Sequence, residues 1–508
     1  MMKKIYCLFA VIYFSLTLVS SAQNIFISVD GNDTNSGTID QPLKTITAAV
    51  NKIQTGDTIF IRSGNYALSS TLTISKNGTE TGKYFLFAYN NERPVLDFSS
   101  MAENSSNRGI NFKASYWHVK GIDIKGAGDN GMNLSGSNNI IEYCSFFENK
   151  DTGLQLSSGA SNNQIINCDS YFNADSSNGN ADGFAPKLSV GANNYFYGCR
   201  AWQNSDDGWD GYLRESTTSS TVLENCWCFN NGYLKDGNAS GGNGNGYKMG
   251  GGDNSNSAGT AHNFTLKNCL AFDNRVKGFD QNNNKGSMTV LNCTAYRNGT
   301  NYNVVVVLNA GEVLTVSNCV ALGNYGSISI SSVQNTNSWM TPFNVSAEDF
   351  ISIDTAGVRG ARKSDGSLPD INFMHLAENS DLVNTGTDIG LPYNSFAPDL
   401  GAFESDFTTA IELENLEIPK KYFLFPNYPN PFNPETNIKY QIPEAGFVSL
   451  KVYDILGKEI AVLINEFQNA GEYYSTFSVL HSSLSSGIYF YKLRAGSFCQ
   501  TNKMLFLK

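Results

Sequence analysis

Seven cysteines set the spacing of this chain. Cys144, Cys168, Cys199, Cys226, Cys269, Cys293 and Cys319 each have an asparagine five residues later: Asn149, Asn173, Asn204, Asn231, Asn274, Asn298 and Asn324. Aromatic residues crowd the gaps, as in CSFFEN, CRAWQN and CLAFDN. The intervals run from 24 to 31 residues, apart from a longer one between Cys226 and Cys269. A fixed period of this size means stacked supersecondary units. Each unit holds short alternating stretches such as NQIINC, FTLKNC and VLTVSNC, punctuated by Gly and Asn, with almost no helical periodicity. Short strands repeating at one coil length describe an all-β chain wound as a right-handed parallel β-helix. The repeated Asn suits the left-handed backbone of a tight turn, and stacking lines these residues up as an internal ladder. The cysteines form an inward column of small core hydrophobes. Disulfides between coils are not required. A metal site does not fit, because Cys226 and Cys228 make only a C-x-C with no His nearby.

The chain has 508 residues and a formal charge of -11. No basic block points to nucleic acid or anionic lipid. An acidic protein that handles an acidic polymer needs a cation between them. The N-terminus, MMKKIYCLFAVIYFSLTLVSSAQ, has the lysines, apolar run and small-residue cleavage site of a secretory signal peptide over 1–22. No later stretch is long and apolar enough to span a bilayer, so the mature protein is expected outside the cytoplasm. Nine cysteines then remain, an odd number in a compartment that permits disulfides. Composition changes after Ser405. The reading is a β-helix over 23–407, a linker over 408–420, and a Pro-rich entry with alternating strands over 421–508 that suggests a small β-sandwich.

A second register appears at Gly183, Gly208, Gly246 and Gly278. Each is followed by an aromatic residue, Phe184, Trp209, Tyr247 or Phe279, and then by Ala185, Asp210, Lys248 or Asp280. Side chains alternate along a strand. If the aromatics stack inward, Asp210, Lys248 and Asp280 share an outward line with ~4.8 Å between coils. Lys248 then stands between two carboxylates on an exposed face. The stretch NSDDGWDGY at 204–212, with Asp182 from the neighbouring coil, gathers Asp182, Asp206, Asp207 and Asp210 at one bend. Four carboxylates repel unless a hard cation sits among them, and an all-oxygen set favours Ca²⁺. The competing reading is a solvated acidic turn. The stretch DGNDTNSG at 30–37 is read as an N-terminal turn. His118, His262, His375 and His481 form no cluster.

These residues resemble family 9 polysaccharide lyases, the pectate lyase group. The likeness is dense over NADGFAPK, CRAWQNSDDGWD, GNGYKMGG and NCLAFDNRVKGFDQNNNKGSMTVLNCTAYRNGT, and clear again over 364–405. It implies calcium held by Asp182, Asp206, Asp207 and Asp210, and Lys248 as the catalytic base. The expected reaction is β-elimination on polygalacturonate, for which Lys248 must be neutral. Exposed cations on this face, Arg275, Lys277 and Lys187, are candidates to bind uronate carboxylates, with Asp280 beside them. The tract NGYLKDGNASGGNG is read as a loop that bears on substrate fit.

Rhamnogalacturonan on the same site and a non-catalytic β-helix adhesin are the alternatives. A hydrolase with paired carboxylic acids does not suit a central lysine. The tail, with NYPNPFNP, YDILGKEI and SSGIYFYKL, resembles the C-terminal sorting domain of the type IX secretion system. That likeness implies export by this machinery and release or attachment at the outer surface. The alternative for the tail is a carbohydrate-binding module, which would show an aromatic platform. The partners expected are an acidic plant cell-wall polysaccharide and the secretion machinery, with the protein a monomer.

Overall fold

The computed structural model describes residues 22–214, 219–252, 260–407, 419–479 and 484–507. Nearly all of the expected signal peptide, most of the expected linker and His481 lie outside them. The chain forms two compact units that divide between Phe407 and Thr408.

The first unit is a parallel β-helix. Its coils build one twelve-stranded sheet, from Asn24–Ile27 to Val333–Asn335, and two ten-stranded sheets. One of these runs from Leu72–Ile74 to Gly326–Ile328 and carries the candidate site; the other runs from Asn65–Ala67 to Val320–Leu322. Strands from successive coils pair in parallel throughout, and the crossovers are right-handed. A short helix, Ile46–Lys52, is capped by the Thr45 side chain and buries Ile46, Ala49 and Val50 at the N-terminal end of the core.

The Cys-to-Asn spacing has a backbone cause. The residue just before each cysteine has positive φ: Tyr143, Asn167, Gly198, Asn225, Asn268, Asn292 and Asn318. So does the residue just before each ladder asparagine: Glu148, Phe172, Gln203, Asn230, Asp273 and Arg297. Two left-handed residues thus bend the coil on either side of a three-residue strand such as Asp169–Tyr171. The ladder asparagines themselves do not take the left-handed turn, contrary to expectation. Asparagine in the NC dipeptides does, because its side chain tolerates that backbone.

The ladder is real and buried. The Nδ2 of Asn149 donates to Oδ1 of Asn173 at 2.9 Å, and the pattern repeats to Asn204, Asn231, Asn274 and Asn298 at 2.8 to 2.9 Å. Each Oδ1 also accepts the backbone N–H of the preceding rung. Asn324 is not a rung. It is exposed and, among the described residues, accepts only the N–H of Gly326, and Asn301 takes the last place instead. The seven cysteines are buried with free thiols, several of them on backbone carbonyls.

Inside the site sheet, Phe184, Trp209, Tyr247, Phe279 and Tyr302 stack with ring centroids 4.8 to 5.1 Å apart. On the other ten-stranded sheet an outer stack, including Tyr171, Trp202, Phe229 and Phe272, is covered by Phe350, Phe373, Leu376 and their neighbours. Arg200 and Arg362 both pair with Asp169, at 2.8 and 2.6 Å, and fasten this covering segment.

The second unit is a β-sandwich of a three-stranded and a four-stranded antiparallel sheet over Phe423–Phe506. Its core includes Leu424, Ile438, Tyr440, Leu450, Tyr491 and Leu493.

The ladder yields a contrast. Asn204→Ala strands its neighbours' buried donors and acceptors and should cost about 1–3 kcal/mol. Asn324→Ala should stay within about 0.5 kcal/mol. Equilibrium denaturation of the two variants checks this, and equal losses would remove the ladder from the account of stability.

Candidate active site

The inward aromatic stack fixes what faces outward. Trp209 pairs with Tyr247 and Asp210 with Lys248; Lys248 pairs in turn with Asp280. The row read from the sequence therefore exists. Its surroundings differ from expectation. Lys248 is not on an exposed face but only 8 % exposed, on the floor of a cleft of about 510 Å³.

The acids come from two turns and one strand. Asp182 precedes strand Phe184–Pro186, while Asp206 and Asp207 fill the turn before Trp209–Asp210. Glycine is required where the coils meet beside the acids: a Cβ on Gly208 would lie 2.0 Å from Cys228 Sγ. Lys248 Nζ lies 3.1 Å from Asp207 Oδ2 and 3.3 Å from Asp210 Oδ1. Asp280, the expected second carboxylate, is taken by Lys277 at 3.0 Å and by Asn303 at 3.1 Å. Lys187 Nζ lies 2.7 Å from Asp182 Oδ2 and 3.6 Å from Asp210 Oδ2. Two ammonium groups thus lean into four carboxylates.

The remaining carboxylate oxygens meet backbone. Asp182 Oδ1 accepts from Asp207 N–H at 3.2 Å, and Asp207 Oδ1 from Asn245 N–H at 2.8 Å. Asp206 Oδ1 accepts from Asn243 N–H. The expected loop between Cys226 and Gly246 therefore supplies two amides to the cluster. Burial and the neighbouring carboxylate of Asp207 push Asp206 up to about 9. Burial likewise raises Asp207 to about 7, against the pull of Lys248, and Asp182 to about 6, against that of Lys187. Burial also acts to raise Asp210, but both lysines outweigh it and hold it low. For Lys248, burial favours the neutral amine, yet Asp207 and Asp210 outweigh it and hold its pKa well above the ordinary lysine value.

These residues fit a calcium ion. One oxygen from each of Asp182, Asp206 and Asp207 lies within 4.8 Å of the others. Asp207 Oδ2 is buried with no well-aligned hydrogen bond among the described residues and lies against Lys248 Nζ at 3.1 Å. Hard oxygen donors crowded in this way suit a divalent cation.

Arg275 and Lys277 do not line this cleft. An Nη of Arg275 donates to the carbonyl of Gly242, on the far side of the loop, and Arg275 borders a separate cavity of about 570 Å³ with Asp273, Arg297 and Arg359. Lys187 lines the cleft, but as a partner of Asp182. Sequence reading missed Arg108, Asp129, Asp151 and Gln155, which line the same cleft. The signal was present: Gly109, Gly131 and Gly153 continue the glycine column backward.

Comparisons with known proteins agree with this picture. The family profile described as "Pel9A-like, right handed beta helix region" matches residues 25–318, and that of a secretion system C-terminal sorting domain matches 427–507. Pectate lyase L of Dickeya dadantii (strain 3937) is 38% identical over 400 residues, covering 76% of this chain and 91% of the relative. The crystal structure of pectate lyase Pel9A superimposes with a TM-score of 0.71 at 36% identity, over 76% of this chain and 97% of that one. A rhamnogalacturonan lyase does so at 0.63 and 26%, over 70% and 97%.

The raised carboxylates give a pH signature. Their folded pKa values exceed the unfolded value near 4, so between about pH 4 and 9 the native state binds more protons than the unfolded one. Their contribution to stability therefore falls as pH rises through this window. Melting temperature in chelator should drop from pH 5 to 9 relative to an Asp206→Asn variant. Added calcium should raise it most at the alkaline end. A calcium effect that shrinks with rising pH would contradict the site.

Proposed function

This chain belongs to the Pel9A-like right-handed β-helix family and is a polysaccharide lyase; we propose that it cleaves polygalacturonate by calcium-dependent β-elimination with Lys248 as the base. The observation that carries this reading is Lys248 Nζ at 3.1 and 3.3 Å from two aspartates of one oxygen-only cluster. Its C-terminal unit is a sorting domain, which makes the chain a secreted or surface-attached product.

Asp182, Asp206, Asp207 and Asp210 would hold the calcium. Bound there, the ion supplies positive charge that neutralises these carboxylates and stabilises charge developing on the uronate. Lys248 then takes the proton from C5 of the galacturonate. The electrons of that C–H bond form the C4–C5 double bond, and the C4–O bond breaks with its pair on the leaving sugar. The base must be neutral, and its two aspartate partners are what keep it charged. Calcium held by the four aspartates would offset their pull on Lys248, while burial favours the neutral amine. The aspartates that keep the lysine charged would thus be the same ones that hold the metal.

A second reading, rhamnogalacturonan as substrate, has the 26% identical rhamnogalacturonan lyase structure behind it. Assay on both polymers, with and without chelator, decides between them. An unsaturated, ultraviolet-absorbing product marks elimination.

Lys248→Ala should lower turnover by ~10²–10⁴-fold while calcium still binds. Lys248→Arg should fail as well, since guanidinium stays protonated. Asp207→Ala should instead weaken calcium affinity and recover part of the rate in excess calcium. If excess calcium rescues Lys248→Ala, the lysine is not the base.

A further inference from the structure

The outward row that holds Asp210 and Lys248 continues well past the acid cluster. In the site sheet Asn111 pairs with Asn133, Asn133 with Gln155 and Gln155 with Ala185. Phe184 pairs with Trp209, so the next residues along, Ala185 and Asp210, stand side by side, and Asp210 meets Lys248. Three amides thus lead up to one alanine and then to the charged centre. Gln155 Nε2 donates to Asn133 Oδ1 at 3.3 Å, and Asn133 Nδ2 to Asn111 Oδ1 at 3.4 Å. Gln155 is only 5 % exposed although it faces outward, and it lines the cleft floor. Ala185 leaves width beside Asp210.

A parallel row ends in a cation. The residues preceding the glycine column read Arg108, Asn130, Thr152, Asp182, Asp207 and Asn245. Backbone bonds hold them in step: Gly109 N–H to Asn130 O, Gly131 to Thr152, Gly153 to Asp182, Gly183 to Asp207 and Gly208 to Asn245. Arg108 therefore stands in the row of two calcium aspartates and lines the same cleft. Its Nε donates to Asp129 at 3.2 Å, and its guanidinium makes no other hydrogen bond to the described residues. The cleft wall is built here: Glu103 accepts the N–H of Ser176 at 3.0 Å, joining two loops beside Ser105 and Gly179. Arg108 lies five strands from Lys248, ~24 Å along the helix axis.

We propose that this amide floor and Arg108 are substrate subsites. The acidic polysaccharide lies along the helix axis, with a hydroxyl group on Gln155, which Asn133 and Asn111 hold in place from beneath. One uronate carboxylate, several residues from the bond that breaks, sits on the Arg108 guanidinium, whose planar fork suits it. The proposal rests on the reading of an acidic polysaccharide as substrate. It makes the enzyme one that senses chain length.

The test measures kcat/KM on galacturonate oligomers of increasing length in calcium. The variants are Arg108→Lys and the double variant Arg108→Gln/Asp129→Asn, which removes the ion pair without leaving a lone carboxylate. The double variant should lose little on the shortest oligomers cleaved and about tenfold on those long enough to reach Arg108. Arg108→Lys should recover part of that loss. A loss equal at every length, or none at any length, overturns the proposal. Calorimetric binding of the same oligomers to Lys248→Ala protein separates it from the reading beneath. Length-dependent binding that needs Arg108, without turnover in the parent protein, refutes polygalacturonate as the polymer cleaved and keeps the subsites. Turnover with binding indifferent to Arg108 refutes the subsites alone.

Discussion

A buried amide that accepts from the coil before and donates to the coil after is the interaction on which this molecule depends. The asparagine ladder makes a slip of one residue expensive, because every rung would strand polar groups in the core. Slippage would also turn each strand over and exchange its two faces. The aromatic stack from Phe184 to Tyr302 would then point outward, and Asp210 and Lys248 inward. The chemistry of the site is therefore a consequence of register. No single coil holds it; Asp182, Asp207 and Lys248 come from three.

Once register has placed the charges, their balance follows. Four carboxylates and two ammonium groups in one buried cluster leave two negative charges unmatched. Buried charge is costly, and burial pushes Asp182, Asp206 and Asp207 toward their protonated forms. A divalent cation offers the same relief without protons. Lys187 and Lys248 differ in what else they touch. Lys187 is bound to Asp182 and Asp210 at the end of a proline-closed strand, whereas Lys248 shares Asp207 with the loop amide of Asn245 and Asp210 with Lys187.

What could be read in the sequence was whatever repeats. The coil period, the aromatic column and the outward row recur at fixed spacing, and each stands in the structure where its column requires. The misreadings fall where periodicity carries no information. Asn was placed in the left-handed turn because the residue type suits it, but the turn sits one residue earlier, at positions as varied as Glu148 and Arg297. Asn324 keeps the spacing but has lost its coil. Asp280 keeps its row, yet Lys277, three residues away on its own strand, claims it first. The burial of Lys248 was invisible because cleft walls are made by loops that do not repeat.

The one interval that breaks the period does the most for the site. The step from Cys226 to Cys269 is long because it contains the loop between Asn231 and Gly246. Asn243 and Asn245 of this loop turn their N–H groups onto Asp206 and Asp207, and Arg275 grips its other side through the carbonyl of Gly242. Gly232 and Gly244 let the two ends of the loop pass where a Cβ on Gly232 would meet Gly244 Cα at 2.6 Å. A regular β-helix presents a shallow face on which four aspartates would be wetted and fully ionised. Covering that face with an insertion removes water, raises the carboxylates and traps Lys248 among them. The repeat thus supplies the positions of the charges, and the exception to the repeat supplies the low-dielectric setting in which they interact strongly. Arg275, read from sequence as a hand for substrate, belongs to the second task.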